Sequence, residues 1–166
     1  MCADLSDLYD RFPRLADEPH EITSEPAKYN CVAWVEGLTD RYIDPEMDWP
    51  AGVPKPPADQ DDDLDYYVAF FRYHGYEICA DASLEAGYTK IALFADNGWF
   101  AHVAKQMPSG KWTSKAGFLH DLSHDRLEAL QDCGLARNAR PERFMRRLRT
   151  TAPKDQERLG IIMPSS

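Results

Sequence analysis

The stretch from residue 89 to residue 115 constrains the fold most. Residues 89–95 form an apolar, β-branched-rich run, and Asn97-Gly98 follows it. This dipeptide readily takes the positive φ values of a type I′ hairpin turn. Residues 99–106 are a second apolar run, and Ser109-Gly110 marks a second turn before 111–115. Runs of this length between tight-turn signals predict an antiparallel meander of at least three strands. Ile91 and Leu93 should face the core. The second hairpin has two available registers. A two-residue Ser109-Gly110 turn sets 102 opposite 117 and 104 opposite 115, and a three-residue loop sets 102 opposite 116 and 104 opposite 114.

Helices should pack on this meander. Leu5, Leu8 and Phe12 lie at helical spacing over 1–12. Pro13, Pro19 and Pro26 make 13–28 mostly loop, with a short extended piece near Glu21-Ile22-Thr23. Residues 30–37 read as a short helix. Asn30 is its N-cap, Tyr29 and Trp34 are a hydrophobic staple, and Gly37 ends it. Pro45, Pro50, Pro54, Pro56 and Pro57 make 38–58 a long irregular connection pinned by Tyr42, Ile43 and Trp49. Asp59, Asp61, Asp62, Asp63 and Asp65 gather at the start of a second helix. Its buried stripe is Leu64, Tyr67, Val68 and Phe71, and Gly75 closes it. The aspartates lack EF-hand spacing. Residues 76–79 read as a short extended piece. Ser123 reads as the cap of a helix reaching about 132, with Leu127 and Leu130 facing inward. Residues 141–149 read as a short helix or strand carrying Phe144, Met145 and Leu148. The expectation is an α+β domain over 1–150, with 151–166 a loose tail.

The 166 residues are 43% hydrophobic and 28% charged, which fits one globular domain. Cys2, Cys31, Cys79 and Cys133 are far apart and form no CxxC pair, so neither a zinc site nor a disulfide framework is expected. His120 and His124 are four apart, the spacing of zinc-binding helical histidines. They straddle the helix start expected at Ser123 and lack a third ligand, so no metal is expected. No apolar run is long enough to span a membrane, and residues 1–5 lack a basic and then apolar signal region. The expectation is a cytoplasmic protein with reduced thiols. The net charge of −9 is uneven, because residues 137–158 carry eight Arg or Lys against three acids. In so acidic a chain this run reads as a seam against the protein's own carboxylates, and nucleic acid is not an expected partner.

Two residues carry the candidate chemistry. Cys31 would be the first residue of its helix, where the macrodipole favours a thiolate. His102 lies in the second meander strand among Phe100, Ala101, Val103 and Ala104, small neighbours that leave room for another element. A thiol and an imidazole brought together from distant elements make a nucleophile and its base. The backbone N–H of Cys31 could face a developing oxyanion. Ser114 can accept from the imidazole N–H, whereas Lys115 cannot. Asp96 and Asp121 are carboxylate alternatives from nearby loops. Asn30, Trp34, Trp99 and Trp112 are candidate substrate contacts, and Trp49 completes the tryptophans that could line a groove or fill the core.

The string Tyr29-Asn30-Cys31-Val32-Ala33-Trp34 resembles the NCxAW helix start of papain-like cysteine hydrolases in the broad NlpC/P60 sense. Residues 100–104 and 109–117 resemble their histidine strand and the strand after it. The whole run from Phe12 to Met145 is similar to an uncharacterised bacterial family of small soluble proteins, with YNCxAW and HxAxQxPSGxWTSKxG motifs. Gly87-Tyr88-Thr89-Lys90-Ile91-Ala92-Leu93-Phe94-Ala95 matches a further string of that family. The resemblance implies a papain-like layout, with N-terminal helices packed on the antiparallel meander. It implies a cysteine hydrolase or acyltransferase acting, without a cofactor, on an amide or thioester, in a protein or peptide substrate among others. The other expectation is a non-catalytic binding or immunity-type module on the same fold.

Overall fold

A computed structural model describes residues 5–24, 30–36, 49–55, 57, 63–115, 121–133 and 138–149. Its described elements, in order, are α1 (Leu5–Arg11), a 3-10 turn (Leu15–Asp17), β1 (His20–Ser24), α2 (Cys31–Val35), α3 (Leu64–Tyr73), β2 (Glu77–Cys79), β3 (Tyr88–Asp96), β4 (Trp99–Gln106), β5 (Trp112–Lys115), β6 (Asp121–His124), a 3-10 turn (Leu127–Leu130) and β7 (Arg140–Leu148). The architecture is α+β. Seven strands form one sheet in the order β1-β6-β5-β4-β3-β7-β2, and every pairing is antiparallel.

The meander is its centre. Asn97 (φ 50°) and Gly98 (φ 85°) make the β3–β4 turn, and Ile91 and Leu93 are fully buried. Lys105 pairs with Thr113, and Gln106 with Trp112. The Met107 N–H donates to the Lys111 carbonyl at 2.7 Å. The second hairpin therefore uses the three-residue loop, with Gly110 at φ +94° in the left-handed position. Continuing that register sets Ala104 opposite Ser114, and position 116 lies outside the described residues.

Both faces of the sheet are covered. Ile91, Leu93, Ala95, Val103 and Met145 pack under α2 and α3 with Val32, Tyr67, Phe70 and Phe71. Ala92, Phe94, Ala104, Trp112 and Leu122 pack on the opposite face with Leu8, Phe12, Leu15 and Leu130. Asp63 caps α3 by accepting the Asp65 N–H at 2.9 Å, and Tyr67 stacks on Phe100 with ring centroids 3.8 Å apart. Gly75, at φ +93°, ends the α3 segment beside the Arg147 side chain.

One expectation changes, and one open alternative is resolved. The helix expected from Ser123 is absent, because residues 121–124 are strand β6, held by β5 on one side and β1 on the other. Leu127 and Leu130 then need only a 3-10 turn to reach the core. Residues 140–148 are a strand, and a central one. β7 lies between β3 and β2, with Phe144 on one face and Met145 on the other. Its pairing comes from strands more than forty residues away in the chain, so little in 140–148 itself marks it as a strand. The basic run is a seam: Arg140 meets Asp132 at 2.8 Å, Arg146 meets Glu77 at 2.8 Å and also Glu85, and Arg147 meets Glu36 at 3.4 Å. Among the described residues no helix is long and apolar enough to cross a membrane. Tyr29, Gly37, most of 38–58, the acids at 59, 61 and 62, His120, Cys2 and the tail 151–166 lie outside the described residues.

Candidate functional site

Asn30 caps α2 as the sequence suggested: its side-chain oxygen accepts the Ala33 N–H at 3.1 Å. That cap sets the helix start at Cys31 and directs its thiol toward the sheet. Cys31 is 7% exposed and packs with Val32, Val103 and Leu93. Burial pushes its pKa up to about 11. The Val103 N–H and the nearby Lys115 ammonium oppose that shift without cancelling it. At neutral pH the group is a thiol.

His102 lies on the other side of the sheet. It pairs with Phe94, and its ring meets the edges of Phe12 and Phe94 at centroid distances of 5.5 and 5.8 Å. Those rings belong to the layer opposite Cys31. The adjacent Val103 is the residue that reaches Cys31, and consecutive strand residues point to opposite faces. His102 is 2% exposed, and its Nε2 has no hydrogen-bond partner. Burial, with His124 nearby, pulls its pKa down to about 3. The structure therefore does not bring Cys31 and His102 together. The neutral imidazole sits in an apolar layer away from the thiol.

Ser114 shares the face of His102, but its partner is a different histidine. Its Oγ lies 3.1 Å from Nε2 of His124. The His124 Nδ1 lies 2.9 Å from the Arg126 carbonyl, so Nδ1 carries the proton and Ser114 donates to Nε2. Both residues are fully buried. A serine donating to an imidazole held by a carbonyl has the polarity of a nucleophile and base, and here both side chains are buried. Next in the sheet, His20 pairs in register with His124, and His20 lies 3.0 Å from the Tyr9 hydroxyl. Burial lowers the His124 pKa to about 4.

The groups actually near Cys31 are charged. Lys115 is buried, with its Nζ 3.9 Å from Asp121, and both face the α2 side of β5 and β6. Burial lowers the Lys115 pKa, and Asp121 and Cys31 act against that. The sequence contained a signal for this pair. Lys115 and Asp121 are two opposite charges flanking a short connection between strands, where register places them across from each other.

The tryptophans do not share a face. Trp112 is 4% exposed in the His102 layer. Trp49 packs on Tyr67 and Phe70, and its Nε1 donates to the Pro54 carbonyl at 3.1 Å. Trp99 is 50% exposed beside the β3–β4 turn. Trp34 falls within α2, and its side chain is outside the described part. The turn next to Trp99 is anchored on two sides. The Asn97 and Gly98 N–H groups each donate to the Glu142 carboxylate at 3.1 Å, and the Leu64 N–H donates to the Gly98 carbonyl at 2.8 Å. Among the described residues no group of three His, Cys, Asp or Glu could hold a metal ion.

No curated protein and no solved structure matches this chain. One family model matches residues 21–137, from β1 to just before β7. On that match over most of its length, the chain belongs to the DUF7689 family, a domain of unknown function.

Proposed function

We propose that this protein is a non-catalytic binding module of the interaction or immunity type, and not a cysteine hydrolase or acyltransferase. One observation carries the reading: the thiol and the imidazole lie on opposite faces of the sheet, and both are buried. A papain-like hydrolase needs the imidazole within hydrogen-bond reach of the sulfur, and a thiolate to attack the amide or thioester. Here the thiol is held protonated and the imidazole unprotonated. Trp99 is the side chain best placed to meet a protein or peptide partner. Tryptophan is enriched among residues that dominate binding energy, and a turn already fixed by Glu142 loses little freedom on docking.

A burst assay separates the two functions. The full chain is mixed with excess p-nitrophenyl acetate at neutral pH, beside Cys31→Ala. The expected result is no burst that depends on Cys31. In parallel, iodoacetamide should alkylate the half-exposed Cys79 while Cys31 stays unmodified in the native protein. A stoichiometric burst lost in Cys31→Ala, with an acetyl group mapped to Cys31, overturns the binding-module reading and restores the hydrolase.

A further inference from the structure

A cavity of about 340 Å³ lies at the sheet edge formed by β2, well away from Cys31. Its floor is strand: Cys79 from β2, Arg146 from β7 and Lys90 from β3. The segment between β2 and β3 forms its wall, with Asp81, Leu84 and Glu85. That segment is pinned from beneath. The Gln106 Nε2 donates to the Ala82 carbonyl at 3.1 Å, and the Lys90 Nζ donates to the Asp81 carbonyl at 3.1 Å. Ser83 donates twice to the Asp81 carboxylate, from its backbone N–H at 3.0 Å and its hydroxyl at 2.6 Å. The cavity is therefore held open by fixed groups. Its volume falls at the small end of the range of ligand pockets, about 300–1,000 Å³.

The hydrogen-bond inventory shows what the cavity still offers. Lys90, 2% exposed, uses its ammonium on the Asp81 carbonyl, on Asp81 Oδ1 at 3.3 Å and on Glu85 at 3.4 Å. Arg146 uses Nε on Glu77 and Nη1 on Glu85, and its guanidinium lies over the Tyr88 ring, 4.2 Å from the centroid. Among the described residues, Nη2 of Arg146 and Oδ2 of Asp81 have no partner. The cavity thus presents one open cationic donor from its floor and one open anionic acceptor from its wall. Leu84, 54% exposed, and Ile78, 46% exposed, add apolar surface.

We propose that this cavity binds a small zwitterion, an α-amino acid with an aliphatic side chain. Its carboxylate accepts from Arg146, its ammonium donates to Asp81, and its side chain lies against Leu84. The charge pattern selects against simpler ligands. A plain anion meets the carboxylates of Asp81 and Glu85, and a plain cation meets Lys90 and Arg146. Each like-charge approach inside a walled site is costly. A zwitterion satisfies both open groups and leaves the local balance unchanged. This inference does not depend on the role of Cys31.

Calorimetric titration of the full chain tests it, with L-leucine, L-leucinamide and N-acetyl-L-leucine as probes. Leucine should bind, and removing either charge should weaken binding roughly tenfold or more, the scale of one charge-assisted hydrogen bond. Asp81→Asn and Leu84→Asp should each weaken leucine by a similar factor. Leu84 is an exposed side chain, so its variant tests the site even if Asp81→Asn disturbs the segment. Bound leucine should also slow alkylation of Cys79, whose thiol lies in the wall. Absence of leucine binding overturns the proposal. So does equal binding of N-acetyl-leucine, which would mark a simple anion site, or leucine binding that neither variant alters.

Discussion

The two faces of the sheet are buried equally well but by different chemistry. Under α3 the sheet offers Ile91, Leu93, Ala95, Val103 and Met145 to the aromatic stripe of the helix. On the opposite face Ala92, Phe94, Ala104 and Leu122 share their layer with His102, Ser114 and His124. The first arrangement is mostly apolar, and its buried charges on the α2 side, Lys115 and Asp121, face each other. The second depends also on the histidines staying neutral, since a charge without a partner in such a layer is expensive. The same strands therefore carry one face whose buried charges are paired and one whose buried imidazoles must stay neutral, and the second should respond to mild acid.

The largest test truncates neighbours on the two faces. Leu93→Ala should cost about 2–5 kcal/mol and Phe94→Ala about 3–5 kcal/mol, the range for fully buried side chains of these types. Urea denaturation measures both. A loss below about 1 kcal/mol at either site would mean that its face is not closed.

Acid comes next. His102 and His124 have folded pKa values near 3 and 4, below their ordinary 6.5. Above pH 6.5 they are neutral in both states and stability is at its full level. As pH falls through that value, the unfolded chain takes up protons that the folded chain refuses. Stability should therefore fall by several kcal/mol as pH drops from about 6.5 toward 3. His102→Phe should reduce that fall, whereas Leu93→Ala should lower stability and leave its pH slope intact. If His102→Phe keeps the wild-type slope from pH 6.5 to 4, the two faces do not differ in this way. Asp81, held near 2 by Ser83 and Lys90, adds its own loss only below about pH 4, so the comparison is made from pH 6.5 to 4.

The smallest effect is at the cap of α2. Asn30→Ala removes the acceptor of the Ala33 N–H and should cost about 1 kcal/mol. Thermal melts would show it. No change would mean that packing against β4 alone places Cys31.

Local rules made much of this fold legible. Asn97-Gly98, Ser109-Gly110, the Asp63 cap and the Leu64–Phe71 stripe all specify structure within a few residues, and those elements stand where the sequence puts them. Strands β1 and β7 gain their pairing from residues far along the chain, as does the β1 side of β6, so their local signals are weak. Ser123 illustrates this, because a good cap residue lost to two flanking strands. The candidate site was legible in its parts and not in its assembly. The helix start at Cys31 follows from Asn30. The side of the sheet that His102 faces depends on strand alternation combined with where α2 docks, and neither is written near residue 102.

The position of β7 bears on how the chain can be synthesised. Glu77 in β2 meets Arg146 in β7, 69 residues later. During translation the β3–β4 hairpin can close as soon as it emerges, because its partners are adjacent in sequence. β2 has no strand to pair with until β7 has been made. Until then one long edge of β3, eight paired positions in the finished sheet, stays bare beside a largely apolar hairpin. The nascent protein thus holds an open sheet edge until nearly all of the described chain is out. A fragment cut at residue 137, where the family match ends, would keep that edge for good and invite strand exchange between molecules.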